Sequence, residues 1–487
     1  MTTSSYPARL LQLAAESPDA PMISCGDDTL SRAELVSAGR RLARELSSFG
    51  VGHGDFVTVA VPNSTQWFVT YAACWMIGAV PQPTSAKLPP RELLALVDLA
   101  ESKVVVGAPT VSGQLPGHVV HLPIDHQPGP EFEDRPLPDA TSPAWKAPTS
   151  GGSTGRPKLI VSGDPAQFDT EAPTMIGAVD GGCLLMPGPL YHNGPAVWSC
   201  QAWLRGSHVV VMPRFDAEAT LELIDRHGVD VTYLVPTMMK RISRLDDDVR
   251  LAHDLSSLRI VWHLAEPCPA WLKQEWIDWL GPDRIMELYA GTEAQAVTII
   301  TGAEWLEHRG SVGRVVTGQM KVCDESGEEL PPGQQGEVWM RSERDTPTYR
   351  YVGADAKTLG DGWESLGDMG WFDEDGYLYL GDRVTDMILS GGSNIYPAEV
   401  EAALNEHPTV ESCAVIGLPH DERGNDVHAI VQPNDTIDDQ TLLTFLAERL
   451  ATYKLPRTFE YVDTALRDDA GKVRRSALRT ERIAASK

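Results

Sequence analysis

The chain has 487 residues, which at about 100–200 residues per domain predicts two or more domains with ample core. Hydrophobic residues make up 42% and charged residues 22%, ordinary globular usage that excludes disordered, collagen-like and coiled-coil chains. Forty-one Lys and Arg against 68 Asp and Glu leave a net charge of −27, which excludes a surface built to neutralise nucleic-acid phosphates but not a local basic site for a small anion.

The N-terminus lacks a basic segment followed by an apolar stretch of about 7–15 residues, so no signal peptide is expected. Ser31-Arg-Ala-Glu34 reads as a capping box, after which Leu35, Leu42, Leu46 and Phe49 keep to one helical face until Gly50. Val57, Val59 and Val61 alternate as a strand; an apolar helix from Trp67 to Ile77 then runs into Gly78 and the short strand Ala79-Val80. The most apolar run, Phe68 to Val80, is 13 residues, short of the ~20 that span a bilayer, so no membrane anchor is expected. The helix-then-strand rhythm recurs over 92–106, 219–235 and 257–265 and implies parallel sheets flanked by helices. A Pro-rich stretch from Asp125 to Pro148 reads as a loop or linker.

Beyond Gly310 the texture changes to short strands and Gly/Pro turns, at 313–316, 320–323, 336–340 and 376–380, which predicts a β-rich subdomain over 311–382. After Arg383 come a helix start at Ile395, strands over 410–416 and 428–431, and a helix from Gln440 to Tyr453, a compact α+β unit of about 100 residues. The fold class is α/β: a large N-terminal domain of helix-flanked sheets over 1–382 and a small α+β C-terminal domain over 383–487. The seven cysteines form no C-x-x-C pair, which points to reduced core thiols rather than disulfides or zinc, and hence to a cytoplasmic protein.

Chemistry concentrates in Thr149-Ser-Gly-Gly-Ser-Thr-Gly-Arg-Pro-Lys158. Three glycines and four hydroxyls in seven residues, closed by two cations, make a loop whose N–H and O–H groups can surround phosphate oxygens; the alternative is a flexible Gly/Ser surface loop. It is not a Walker A motif, because Gly-Lys-Ser/Thr is missing and Pro157 stands where that motif's helix begins. Four further segments follow in order: Leu288-Tyr-Ala-Gly-Thr-Glu293, Gly367-Asp-Met-Gly-Trp-Phe-Asp-Glu-Asp-Gly376, Asp382-Arg-Val-Thr-Asp-Met-Ile388 and Ala470-Gly-Lys-Val-Arg474. With them the chain resembles, over essentially its whole length, the adenylate-forming superfamily of acyl-CoA and aryl-CoA synthetases, peptide-synthetase adenylation domains and luciferases.

The resemblance implies a carboxylic acid–CoA ligase that uses ATP, Mg²⁺ and coenzyme A and works through an acyl-adenylate. Thr149, Ser150, Gly151, Gly152, Ser153, Thr154, Gly155 and Lys158 would hold the β- and γ-phosphates, Glu293 would bind Mg²⁺, and Thr292 would hydrogen-bond the α-phosphate. Tyr289 would stack on adenine, Asp368 would accept from both ribose hydroxyls, and Arg383 would donate to the same nucleotide. Lys472 would bridge the substrate carboxylate and the α-phosphate, a compact cation placed where negative charge builds up. Thr385 stands at the hinge about which the C-terminal domain would rotate after adenylation. Gly391 and Gly392 would then line the pantetheine channel, and His192, in Pro189-Leu-Tyr-His-Asn-Gly194, matches the gate between that channel and the carboxylate site. The implied partners are a small carboxylic acid and CoA, with a homodimer as the assembly and neither nucleic acid nor membrane.

Two departures stand out. Thr385 replaces the usual Asp or Lys, and His263-Leu-Ala-Glu-Pro-Cys-Pro269 places Leu264 and Glu266 at positions usually small. Glu266 would accept from the adenine amine or crowd the ring and repel phosphate; otherwise it points to solvent. The crowded case describes a ligase that mainly thioesterifies a supplied acyl-adenylate. A stand-alone adenylation enzyme loading a carrier protein is the other alternative, and basic residues following Lys472 offer either a charged helix face or an anion contact. The phrasing Ala-Glu-Pro-Cys-Pro-Ala-Trp is similar to actinomycete ligases for bulky polycyclic acids, those of platensimycin and platencin biosynthesis among them, with acyl size set between Trp198 and Met239 and around Leu264.

Overall fold

The structure is a computed structural model and describes residues 3–151, 157–381, 387–390, 393–468 and 471–485. Gly152, Ser153, Thr154, Gly155, Arg383, Thr385, Gly391 and Gly392 lie outside the described residues, as does the side chain of Ser150.

The first long helix, Arg32–Ser48, opens on the expected capping box: Ser31 Oγ accepts from the Glu34 amide and the Glu34 carboxylate accepts from the Ser31 amide. It packs on the helix Thr65–Met76, where the Cβ that Gly39 lacks would stand 3.2 Å from the Ala72 Cβ. Every residue from Trp67 to Met76 is buried, so this helix has no solvent face. Its Trp67, Phe68, Tyr71 and Trp75 rings, with Trp203, make the aromatic centre of the main core.

Phe56–Ala60, Val80–Pro83, Val104–Gly107 and Val120–Leu122 form a four-stranded parallel sheet. The valine alternation at 57, 59 and 61 lies in the first of these strands and the residue after it, as expected. Val57 through Val61 are all buried, because a parallel sheet is covered on both sides and Thr58 bonds inward to Gln82 and Ser102. A larger sheet runs parallel from Pro21–Cys25 through His208–Val211, Cys183–Met186, Val231–Leu234 and Ile260–His263 to Ile285–Ala290. It continues antiparallel through Val297–Thr301 and Ser311–Thr317, then Leu378–Leu380, Glu364–Phe372, Gly336–Arg341 and Gln319–Cys323. No helix or strand occupies the Pro-rich stretch between the strands Val120–Leu122 and Thr149–Gly151.

The C-terminal region has its own five-stranded sheet, built on the long hairpin Val410–His420 and Gly424–Pro433, and its own core around Ile395, Val400, Leu404, Val415, Val431 and Leu446. Its helix Asp439–Ala447 is shorter than the expected 440–453, which ends instead in a separate 3₁₀ turn, Thr452–Lys454. Each of the seven cysteines is a free thiol and six are buried. Among the described residues no helix is long and apolar enough to cross a membrane.

Candidate active site

The parallel strands end on one edge, and the turns that follow them carry His192, Glu266, Thr292 and Glu293, as expected for an open α/β sheet. Ile285–Ala290 leads through Tyr289 into Gly291, Thr292 and Glu293; Ile260–His263 into Leu264 and Glu266; Cys183–Met186 into His192; Val231–Leu234 into Thr237.

The strand pair Thr149–Gly151 and Pro157–Ser162 flanks the glycine-rich loop, with Lys158 opposite Ser150. The Lys158 ammonium sits 3.6 Å from Glu293 Oε1 and 3.7 Å from the centre of the Tyr351 ring. Tyr351 donates its O–H to the same Glu293 oxygen at 2.5 Å, and Thr348 donates to the Glu293 carbonyl at 2.7 Å. Both come from the segment next to the glycine-rich hairpin, where the strand Tyr349–Val352 pairs with Pro157–Ser162. Burial, and next the hydrogen bond to Glu293, push the Tyr351 phenol far above its usual range, so it stays a donor. Glu293 is thus a buried residue whose carboxylate is held by Lys158 and Tyr351 and whose carbonyl is held by Thr348. Among the described residues no cluster of three or more His, Cys, Asp or Glu gathers to cage a metal. A lone acceptor-only carboxylate suits Mg²⁺, which takes few protein ligands and completes its shell with phosphate oxygens and water.

Tyr289 donates to Asp368 Oδ2 at 2.7 Å, which brings two of the residues expected at the nucleotide into direct contact. The two segments approach closely: a Cβ at Gly291 would stand 2.3 Å from Leu366 Cδ1, so a side chain there forces them apart. His192 is the residue before the helix Asn193–Arg205. Next to it, Asn193 accepts from the buried ammonium of Lys146, whose pKa is lowered to about 7 by burial.

From the C-terminal region, Asp468 Oδ2 lies 3.9 Å from His192 Nε2 and Asp468 Oδ1 accepts from the Lys472 amide at 2.9 Å. Gly471, at φ 76°, presses on Glu266 so tightly that a Cβ would stand 1.0 Å from Oε1. The Lys472 turn therefore lies over the His192 and Glu266 side of the site. Glu266 does not point to solvent: its carboxylate accepts from the Thr237 amide at 3.1 Å and the Thr237 hydroxyl at 2.9 Å, at the N-terminal end of the helix Pro236–Ser243. Burial pushes its pKa up to about 7, opposed chiefly by Arg467. The preceding Ala265 takes φ 73°, a left-handed conformation costly for a residue with a Cβ.

The basic residues after Lys472 do not form a free anion patch. Arg475 is bonded to Glu401, Arg479 to the Gly417 carbonyl and Arg482 to Glu460. Glu401 also takes Arg467 and the Val415 amide, and thereby ties the base of the Lys472 turn to the helix Pro397–Asn405. Lys146, Thr237, Tyr351, Glu401 and Arg467 were not singled out from the sequence. Lys146 alone left a signal there, a lysine inside the apolar Ala-Trp-Lys-Ala run before Thr149.

Behind the site, Trp198 meets Tyr233 and Trp262 edge-on at 5.3 and 5.7 Å, and Met239 and Leu264 are buried beside this group in the same core.

A family model described as AMP-binding enzyme matches residues 10–350, and one described as AMP-binding enzyme C-terminal domain matches 399–472. Feruloyl-CoA synthase of an Amycolatopsis species is 33% identical over 98% of both chains. The 3-[(3aS,4S,7aS)-7a-methyl-1,5-dioxo-octahydro-1H-inden-4-yl]propanoyl:CoA ligase of Rhodococcus jostii is 30% identical, also over 98% of both. Among solved structures, O-succinylbenzoate coenzyme A synthetase of Bacillus subtilis, in complex with ATP and magnesium ion, superposes with a TM-score of 0.82 at 25% identity, covering 98% of this chain and 100% of that one.

Proposed function

The chain belongs to the AMP-binding enzyme family, and from that premise we infer that it is an AMP-forming carboxylic acid–CoA ligase acting on a bulky, ring-bearing organic acid. The observation that carries the reading is the convergence on one sheet edge of a lysine–glutamate–tyrosine cluster, a tyrosine–aspartate pair and the turn that bears Lys472.

A carboxylate resists attack by a thiol because its leaving group would be an oxide. The acid oxygen therefore attacks the α-phosphorus of ATP, pyrophosphate leaves, and the acyl group gains AMP as a leaving group. The thiolate of CoA then attacks the acyl carbon and AMP departs. Glu293 would hold the metal, and a bound Mg²⁺ supplies charge neutralisation for the phosphates. Lys158, at the mouth of the glycine-rich loop, would shift from Glu293 to the leaving phosphates. Tyr289 and Asp368 would take the adenosine end, with Thr292 between them and Glu293 at the α-phosphate. Lys472 would stabilise the charge that accumulates as the acid attacks, and His192 would border the path to the thiol.

The preference for a bulky acid is supported by a relative named for a fused bicyclic acid. The test is a panel of free acids with ATP, Mg²⁺ and CoA, read by mass as thioester. Ring-bearing acids are expected to exceed short straight-chain acids in kcat/KM; preference for acetate or butyrate refutes the size assignment. Thioester from synthetic acyl-AMP without ATP-dependent turnover identifies the thioesterification-only alternative.

A further inference from the structure

We propose that Lys240 and Arg244 are positioning residues that clamp the C-terminal unit in the orientation that brings Lys472 to the site; this rests on the function proposed above. Lys240, on the helix Pro236–Ser243, is 6% exposed, although nothing in its hydrogen-bond set is a carboxylate. Its ammonium donates to Asn405 Oδ1 at 2.9 Å, the Val410 carbonyl at 3.1 Å and the Glu411 carbonyl at 3.4 Å. Arg244, capping the same helix, donates to the Val410 carbonyl at 3.0 Å and the Pro408 carbonyl at 3.3 Å. The acceptors surround one turn: Asn405 ends the helix Pro397–Asn405, Pro408 lies in the turn, and Val410 and Glu411 begin the strand Val410–His420.

That turn is mechanically joined to Lys472. The helix before it carries Glu401, which bonds Arg467 and Arg475 on either side of the Lys472 turn. One turn upstream of Lys240, Thr237 holds Glu266, the group on which Gly471 presses. A single short helix thus grips the C-terminal unit at its far end and sets the seat for its active end. Beside the clamp the packing is incomplete: an open pocket of about 190 Å³ is lined by Arg244, Trp271, Glu275, Asn405 and Pro408 among others.

The chemistry of the clamp suits an association that has to be undone. A lysine buried against neutral carbonyls is only partly repaid for its lost water, so its bonds give direction to the docking without making it permanent. Burial lowers the Lys240 pKa to about 7, with Arg244 and Arg467 acting in the same sense and Cys413 and Glu411 opposing.

Lys240→Glu places a carboxylate against carbonyl oxygens, Arg244→Ala removes the second grip, and Lys240→Arg keeps charge and donors. Acid-dependent pyrophosphate–ATP exchange is expected to fall at least tenfold in K240E and R244A and to recover in K240R, while thioester formation from synthetic acyl-AMP stays within twofold of wild type. Equal losses in both half-reactions, or no loss of exchange, overturn the clamp. Hydrogen–deuterium exchange without substrate judges it separately from the proposed function: segments 264–271 and 471–475 are expected to exchange faster in K240E with the parallel-sheet strands unchanged. Unaltered exchange in both segments overturns the proposal even if the wild type makes thioester, and faster exchange supports it even if no acid tried is a substrate.

Discussion

The Glu266 carboxylate, closed in by Thr237 and Gly471, has a pKa raised from 4.5 to about 7. Its folded state binds a proton that the unfolded state releases, so its contribution to stability is full below about 4.5 and is lost as pH rises through 7. Glu266→Gln, neutral throughout, is expected to gain apparent Tm on the wild type as the pH goes from below 5 to about 8; a difference that ignores pH contradicts the assignment. Tyr351 makes a different prediction. Tyr351→Phe keeps the ring under Lys158 but removes the hydrogen bond that orients Glu293, which at ~1.5–3 kcal/mol for a bond to a charged group should raise the Mg²⁺ concentration required for adenylation by roughly ten- to a hundredfold. A Mg²⁺ titration of pyrophosphate exchange reads this, and an unchanged requirement removes Tyr351 from the metal site. The glutamate could be picked out by its motif, whereas its tyrosine, 58 residues further along, could not. No local pattern marks a partner that only strand pairing brings near.

At the scale of elements, the turn that carries Lys472 depends on two residues with opposite requirements. Gly471 needs both its φ of 76° and its missing side chain, so Gly471→Ala holds the turn away from Glu266. A displacement of ~1 Å at a reacting group costs on the order of a hundredfold, and adenylation should fall by about that much while thioester formation from acyl-AMP is largely retained. Equal loss of both half-reactions contradicts a purely positional role. Glu401, buried with two arginines on it, holds the turn from behind. Glu401→Gln leaves those cations short of a charge partner, and breaking such a buried pair costs about 3–5 kcal/mol. Calorimetry should show the loss in the C-terminal unit, with the large sheet untouched. The helix that bears Glu401 was legible from its Tyr-Pro start, but that both arginines converge on it was not.

For the whole molecule, two hydrophobic clusters share no residue: the main core spans Leu10 to Tyr379 and the C-terminal core Ile388 to Phe459. Calorimetry is therefore expected to show two transitions, with the smaller unit melting first and farther from the main one in K240E; a single transition in both proteins rules out independent units. The amino-acid sequence alone determined the α/β alternation, the family and the order of the motif segments, because helix caps, hydrophobic periods and glycine-rich turns act over a few residues and survive in linear text. Only the tertiary structure decided that Glu266 turns to Thr237 and Gly471, that Arg475, Arg479 and Arg482 are spent on their own unit while Arg474 reaches Glu92, and that Lys240 lies buried between the two units. Each of these depends on residues tens to hundreds of positions apart meeting at short range, where desolvation and hydrogen-bond geometry outweigh any preference encoded nearby.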